Sequence, residues 1–197
     1  MKPLLLNIWM ILPVCLMAQA GNSSLRAGNK AYREHDFTKA EESYRKAIDL
    51  SPANATAKFN LGDALFRGNR PIEAQKSFES VIAGSNEPKM IASAWYNKGV
   101  SLTAQQKLEE SIDAYKNVLR IDPSDTMARD NLQRAMNELK RRRDQEQQQQ
   151  KKQQEQKKMS RQQVQQLLQA LQDQERMLQQ KINHSRVPSP SQPEKDW

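Results

Sequence analysis

The 197-residue chain has one cysteine, Cys15, and two histidines, His35 and His184. No second His, Cys or carboxylate stands at ligand spacing from either histidine, so no metal site is expected. A lone cysteine forms no disulfide within the chain, and packing alone must hold the fold. Glycine is scarce as well. Its six copies are dispersed, which leaves no Gly-rich loop to cradle a phosphate. No Ser-His-Asp order is persuasive, because His35 falls in a turn and His184 near the end. These absences point away from an enzyme and from a cofactor. Aromatics make up 6% of the chain. The formal net charge of +8 could neutralise phosphates. Yet glutamine is interleaved with the basic residues where a nucleic-acid binder would carry aromatics to stack on bases. Nucleic acid is not expected as a partner.

Long apolar runs are absent except at the start, MKPLLLNIWMILPVCLMAQA. Lys2 opens it, Leu4 to Met17 is apolar apart from Asn7 and Pro13, and Ala18-Gln19-Ala20 is a small-x-small cleavage site. Residues 1–20 therefore read as a secretory signal peptide. The run falls short of the ~20 apolar residues that span a bilayer. Cleavage after Ala20 would remove Cys15, the one thiol.

What the chain does have is a repeat. Gly28 is followed by Tyr44 and Pro52, Gly62 by Phe78 and Asn86, and Gly99 by Tyr115 and Pro123, at constant intervals. Successive glycines are 34 and 37 residues apart. A period near 34 is the signature of a stacked helical repeat. Each copy reads as two antiparallel helices, within residues 23–50, 55–83 and 87–121. A glycine inside a helix costs about 1 kcal/mol relative to alanine, so something must come close there. The expected partners are small residues of the second helix, Ala40, Ala74 and Ser111, with Tyr44, Phe78 and Tyr115 filling space toward the next pair. Pro52 and Pro123 stop the second helices. Asn54 and Asp125 suit the following N-caps. Three extra residues around positions 84–91 are expected to lengthen the third pair or loosen the bend before it.

After Asp125, Ala128, Leu132, Ala135, Met136 and Leu139 share one face of a helix reaching about Arg143, the expected cap of the stack. Residues 140–158 contain no apolar side chain and cannot bury a core. Residues 144–159 read as a Gln/Lys-rich linker, either a solvated single helix or disordered. Its basic residues also suit weak contact with anionic lipid headgroups, about 1 kcal/mol each. Ser160-x-x-Gln163 reads as a capping box opening an amphipathic helix over 160–182. Its stripe, Val164, Leu167, Leu168, Leu171, Leu178 and Ile182, is a candidate partner-docking face, interrupted by Glu175. Residues 183–197, with three prolines, read as a disordered tail.

The repeats resemble the tetratricopeptide repeat (TPR) in Trp95, Gly99, Tyr115 and Pro123. The departures are Ala27 and Lys98 where Leu61 matches the usual leucine, Ser111 for alanine and Asn86 for proline. The expected fold is all-α, a TPR α-solenoid of three helix-turn-helix repeats plus a capping helix, over residues 21–143. The order of parts (signal peptide, three repeats, Gln/Lys tract, MSRQQVQQLLQALQDQE) resembles the TPR proteins of the bacterial aerotolerance (Bat) operon. That resemblance implies a periplasmic scaffold, membrane-anchored if the signal is retained. It implies envelope partners such as von Willebrand A-domain membrane proteins, beside a MoxR-type ATPase. The alternative is a chaperone-like holdase or assembly factor for exported clients.

In a TPR stack the first helices face the concave side. Arg26, Asn60, Asn97 and Asn131 fall at matching places there, with Phe59 and Tyr96 beside two of them. Asn29, Arg33, Asp63 and Arg67 lie one or two turns on. An amide both donates and accepts, which suits an extended peptide backbone. The family's chaperone-tail clamp uses basic residues to hold a terminal carboxylate. Here Leu25, Ser93 and Asn97 stand where its cations would. An internal segment, with no need for a free C-terminus, is the expected ligand.

Overall fold

A computed structural model describes the backbone of residues 8–185 and the side chains from residue 20 onward. Among the described residues there are seven helices and no strand: α1 (Ile8–Arg33), α2 (Phe37–Leu50), α3 (Ala55–Arg67), α4 (Pro71–Gly84), α5 (Pro88–Ala104), α6 (Leu108–Ile121) and α7 (Thr126–Ser185). They fall into two compact units, residues 1–141 and 142–197.

The first unit is a stack of helix pairs in chain order, α1 with α2, α3 with α4 and α5 with α6. One core joins the first two pairs through Tyr44, Leu61, Leu65, Phe78 and Val81, and takes in Ala94 of α5. A second core, Ile112, Tyr115 and Ala135, brings the start of α7 onto the third pair. That start is the expected cap: Ala128 and Ala135 are buried, and Leu132 and Leu139 are half-buried. Met136, placed on the same face by spacing, is exposed.

The glycines have a different neighbour from the one expected. A Cβ on Gly28 or Gly62 would lie 2.5 Å from the ring of Tyr44 or Phe78, and on Gly99 2.7 Å from that of Tyr115. The aromatic of the same repeat, rather than a small residue, occupies the gap. Ser111 is buried and donates its hydroxyl to the Leu108 carbonyl within its own helix.

The turns inside the pairs share one geometry. His35, Asn69 and Gln106 have φ of 61°, 61° and 65°, and they recur at the repeat spacing. Each closes a helix by the same two bonds, as in His35 N–H to Tyr32 O and Asp36 N–H to Ala31 O. A left-handed residue satisfies the last carbonyls of the helix in this way. Asn54 and Asp125 cap as expected, accepting from the Ala57 and Ala128 amides. The extra residues lengthen α5, which has 17 residues against 13 in α3. Lys98, at the usual leucine position, reaches Glu79 of the preceding pair and lies over the Trp95 ring.

The second unit contains one helical segment, the continuation of α7. The capping box at Ser160 is not formed, because Ser160 lies inside an unbroken helix. Residues 140–158 are Gln, Lys, Glu and Arg with one Asp, and no Gly or Pro interrupts them, so the helix propagates through the linker. All six stripe residues are exposed, between 51% and 63%. Residues 183–185, placed in the tail by sequence, close this helix, and residues 186–197 lie outside the described residues. The signal-peptide segment lies outside them up to residue 7. From Ile8 it runs as backbone helix into the first repeat, through the expected cleavage site at Ala20. Among the described residues no helix is long and apolar enough to cross a membrane.

Candidate peptide-binding groove

The first helices of the pairs carry two clefts. The smaller, 210 Å³, is lined by Asn29, Tyr32 and Arg33 of α1, Tyr44 of α2, and Asn60 and Asp63 of α3. The larger, 610 Å³, runs along α5 past Pro88, Ala92, Ser93, Tyr96 and Asn97, with Phe59 on one side and Asp125 and Met127 on the other. Four of the predicted residues thus meet in the first cleft and three in the second. Arg26, Arg67 and Asn131 line neither. Arg26 bonds the Asn22 carbonyl on its own helix, and the Arg67 guanidinium sits over the Phe37 ring.

The asparagine ladder has a role that spacing did not show. Asn60 donates to Asn29 Oδ1 at 2.8 Å, Asn97 to Asp63 Oδ1 at 2.9 Å, and Asn131 to the Tyr96 hydroxyl at 2.8 Å. Each amide reaches back to the first helix of the preceding pair and ties two repeats together. Asn29 and Asp63 hold matching places one turn after Arg26 and Asn60. Val100 holds that place in the third repeat and offers no acceptor, so Asn131 uses the tyrosine hydroxyl instead. Phe59 and Tyr96 do wall the groove. Both also pack edge-on against the ring beneath them, Phe59 on Phe78 and Tyr96 on Tyr115.

Sequence reading missed Tyr32 and Tyr44 as lining residues. Tyr44 has its ring on Gly28 and its hydroxyl 2.8 Å from Asn29 Oδ1. A signal was available: a tyrosine that fills the space beside a glycine still has a polar tip to place, and the nearest polar residue of the facing helix is Asn29. Burial pushes the Tyr44 hydroxyl up to about 12. Asp63 is raised to about 6, also by burial, which disfavours its charged form. Among the described residues no cation pairs with it, and Asn97 is the one amide bonded to it. No group of three or more His, Cys, Asp or Glu that could hold a metal occurs among the described residues.

Residues 25–88 and 92–125 match family models described as tetratricopeptide repeat. These segments are tetratricopeptide repeats. Among curated proteins the chain is similar to RNA polymerase II-associated protein 3 of Mus musculus, 31% identical over 114 residues. The match covers 58% of this chain and 16% of that protein. Stress-induced-phosphoprotein 1 of Caenorhabditis elegans is 30% identical over 100 residues, 49% of this chain and 31% of the relative. The chain thus spans about a sixth of the first relatives it matches. Among solved structures, the first TPR of Spaghetti (RPAP3) bound to the HSP90 peptide SRMEEVD superposes with a TM-score of 0.58 at 26% identity. That match covers 62% of this chain and 94% of the other. The N-terminal domain of stress-induced protein-1 from C. elegans gives 0.57 at 25%, covering 61% and 97%. The all-helical stack is the fold these TPR domains share.

Proposed function

We propose that this protein is an interaction scaffold whose TPR groove holds an internal segment of a partner protein. The observation that carries the reading is the pair of clefts along the first helices, lined by aromatic walls and by amides already fixed in orientation. A rigid, pre-oriented polar lining lowers the ordering cost of binding. A similar TPR domain has been solved with an HSP90 peptide ending in EEVD. Here Leu25, Ser93 and Asn97 replace the clamp cations, and Asp63 adds a carboxylate to the same face. An acidic segment with a free carboxylate would meet repulsion, so an internal segment fits better.

The setting belongs to the same proposal. The signal-peptide layout of residues 1–20 and the order of parts support export to a bacterial cell envelope. The partners there would be envelope proteins of the von Willebrand A-domain kind, in an aerotolerance or stress-response complex. The exposed stripe Val164–Ile182 is a second candidate contact in that scaffold. The reading assigns no catalytic step.

A test must spare the ladder, because Asn60 and Asn97 hold the repeats together and their removal would confuse binding with folding. Ser93 is exposed and lines the larger cleft. Ser93→Trp should fill the cleft without removing a bond. Partner capture from native envelopes by crosslinking should fall about tenfold, the loss expected when 1.4 kcal/mol is removed. Lys116→Trp, on exposed α6, should leave it unchanged. Capture at full strength with Ser93→Trp would sink the groove as the binding site.

A further inference from the structure

We propose that the cleft between α1 and α3 is a subsite for one lysine or arginine side chain of the bound segment, with the Asp63 carboxylate as its counter-charge. The inference rests on the groove reading and names what part of that groove selects. Four observations carry it. The cleft measures 210 Å³, below the 300 Å³ at which pockets for small molecules begin, so it is sized for a side chain. The acceptor it offers is the Asp63 carboxylate. Asn29 Oδ1 receives both the Tyr44 hydroxyl and the Asn60 amide, which uses its two lone pairs and fixes both protons on it. Neither proton is therefore spent on Asp63. The carboxylate is tethered at Oδ1 by Asn97 and has no ion pair among the described residues. It is also not sealed in, since it lines an open cleft.

Among the described residues no cation fills that role. Arg33 is exposed where it lines the cleft, and Arg67 is drawn off over Phe37. Tyr32, half-buried, lines the space, and aromatic rings favour a cation. A half-buried carboxylate without a counter-ion is unfavourable in the free protein. A ligand ammonium or guanidinium would relieve that while donating to Oδ2. The site is thus opposite in sign to a clamp for acidic tails. Arg33 is exposed and lines the same cleft, so an acidic residue beside the ligand's basic one would offset its charge.

The experiment is selection from a library of N-acetylated, C-amidated heptapeptides on the full chain and on Asp63→Asn. Asparagine keeps the acceptor that Asn97 needs, and a melting curve checks that the variant is folded. The wild type should enrich Lys or Arg at one position, and the variant should lose that enrichment. The best peptide should bind the variant about tenfold more weakly, in the range of a desolvated charge pair. Norleucine at the basic position should cost as much on the wild type and little on the variant, the non-additivity expected of two groups in contact. Enriched peptides without a basic position, or enrichment that survives in Asp63→Asn, would overturn the subsite. If no blocked peptide is held while Ser93→Trp still lowers partner capture about tenfold, the subsite falls and the groove stands. If Ser93→Trp also changes nothing, both fall.

Discussion

The repeats and the segment beyond residue 141 are both helical, for different reasons. In the repeats α2 to α6 are short, 13 to 17 residues, and each buries a face. Helices of that length are marginal alone, and tertiary packing supplies their stability. In the second unit the helix is long, its residues are good helix formers, and its apolar side chains are exposed. Propensity and length account for it. Leucine makes the contrast concrete. Leu102 of α5 is 0% exposed and Leu171 of α7 is 52% exposed. One residue type holds a core in the first unit and remains available for contact in the second.

The same substitution made in both places should break the likeness most sharply. Leu102→Ala should cost about 2–5 kcal/mol of repeat stability, the range for emptying a packed site. Leu171→Ala should change repeat melting by no more than about 0.5 kcal/mol. Denaturant melts followed by circular dichroism would measure both. Equal effects would mean that the second segment belongs to the core.

A smaller effect tests the glycine register. Gly62→Ala would improve helix propensity, which is stabilising on an exposed helix such as the second unit's. Here its Cβ would meet the buried Phe78 ring at 2.5 Å. Overpacking should win, for a net loss of about 1–3 kcal/mol. A melt at or above the wild-type midpoint would show that the ring can move aside.

The remaining effect has a size that depends on pH. Asp63 titrates near 6 when folded, against 3.8 as the ordinary value. The stability its protonated form contributes is fully present below about pH 4 and is lost as pH rises through about 6. Asp63→Asn should therefore match the wild type at pH 3.5 and exceed it by up to about 3 kcal/mol at pH 7. A wild type already as stable as the variant at pH 7 would mean that a cation of the chain serves Asp63 after all.

How much was legible varies by level. The stack was legible because Gly, aromatic and Pro recur at fixed intervals, and stacking geometry admits few other readings of a 34-residue period. Asn54 and Asp125 were legible as caps, since capping is local chemistry. Four lining residues of the first cleft, Asn29, Arg33, Asn60 and Asp63, could be named from their places on first helices. Tyr44 left a signal in its polar tip beside Gly28, but Tyr32 left none, because a turn-proximal residue reaches the cleft only after the pair has closed. The unbroken α7 was misread at Ser160, where a local capping pattern competed with helix propagation and lost.

The sequence by itself determined the number of repeats and the helix pairing, because periodicity and residue type carry those. Only the tertiary structure decided which group stands against each glycine, which way the ladder amides point, and that Asp63 is half-buried with no ion pair among the described residues. Those depend on distances between residues about 16 to 35 positions apart, which exist only once the pairs have stacked.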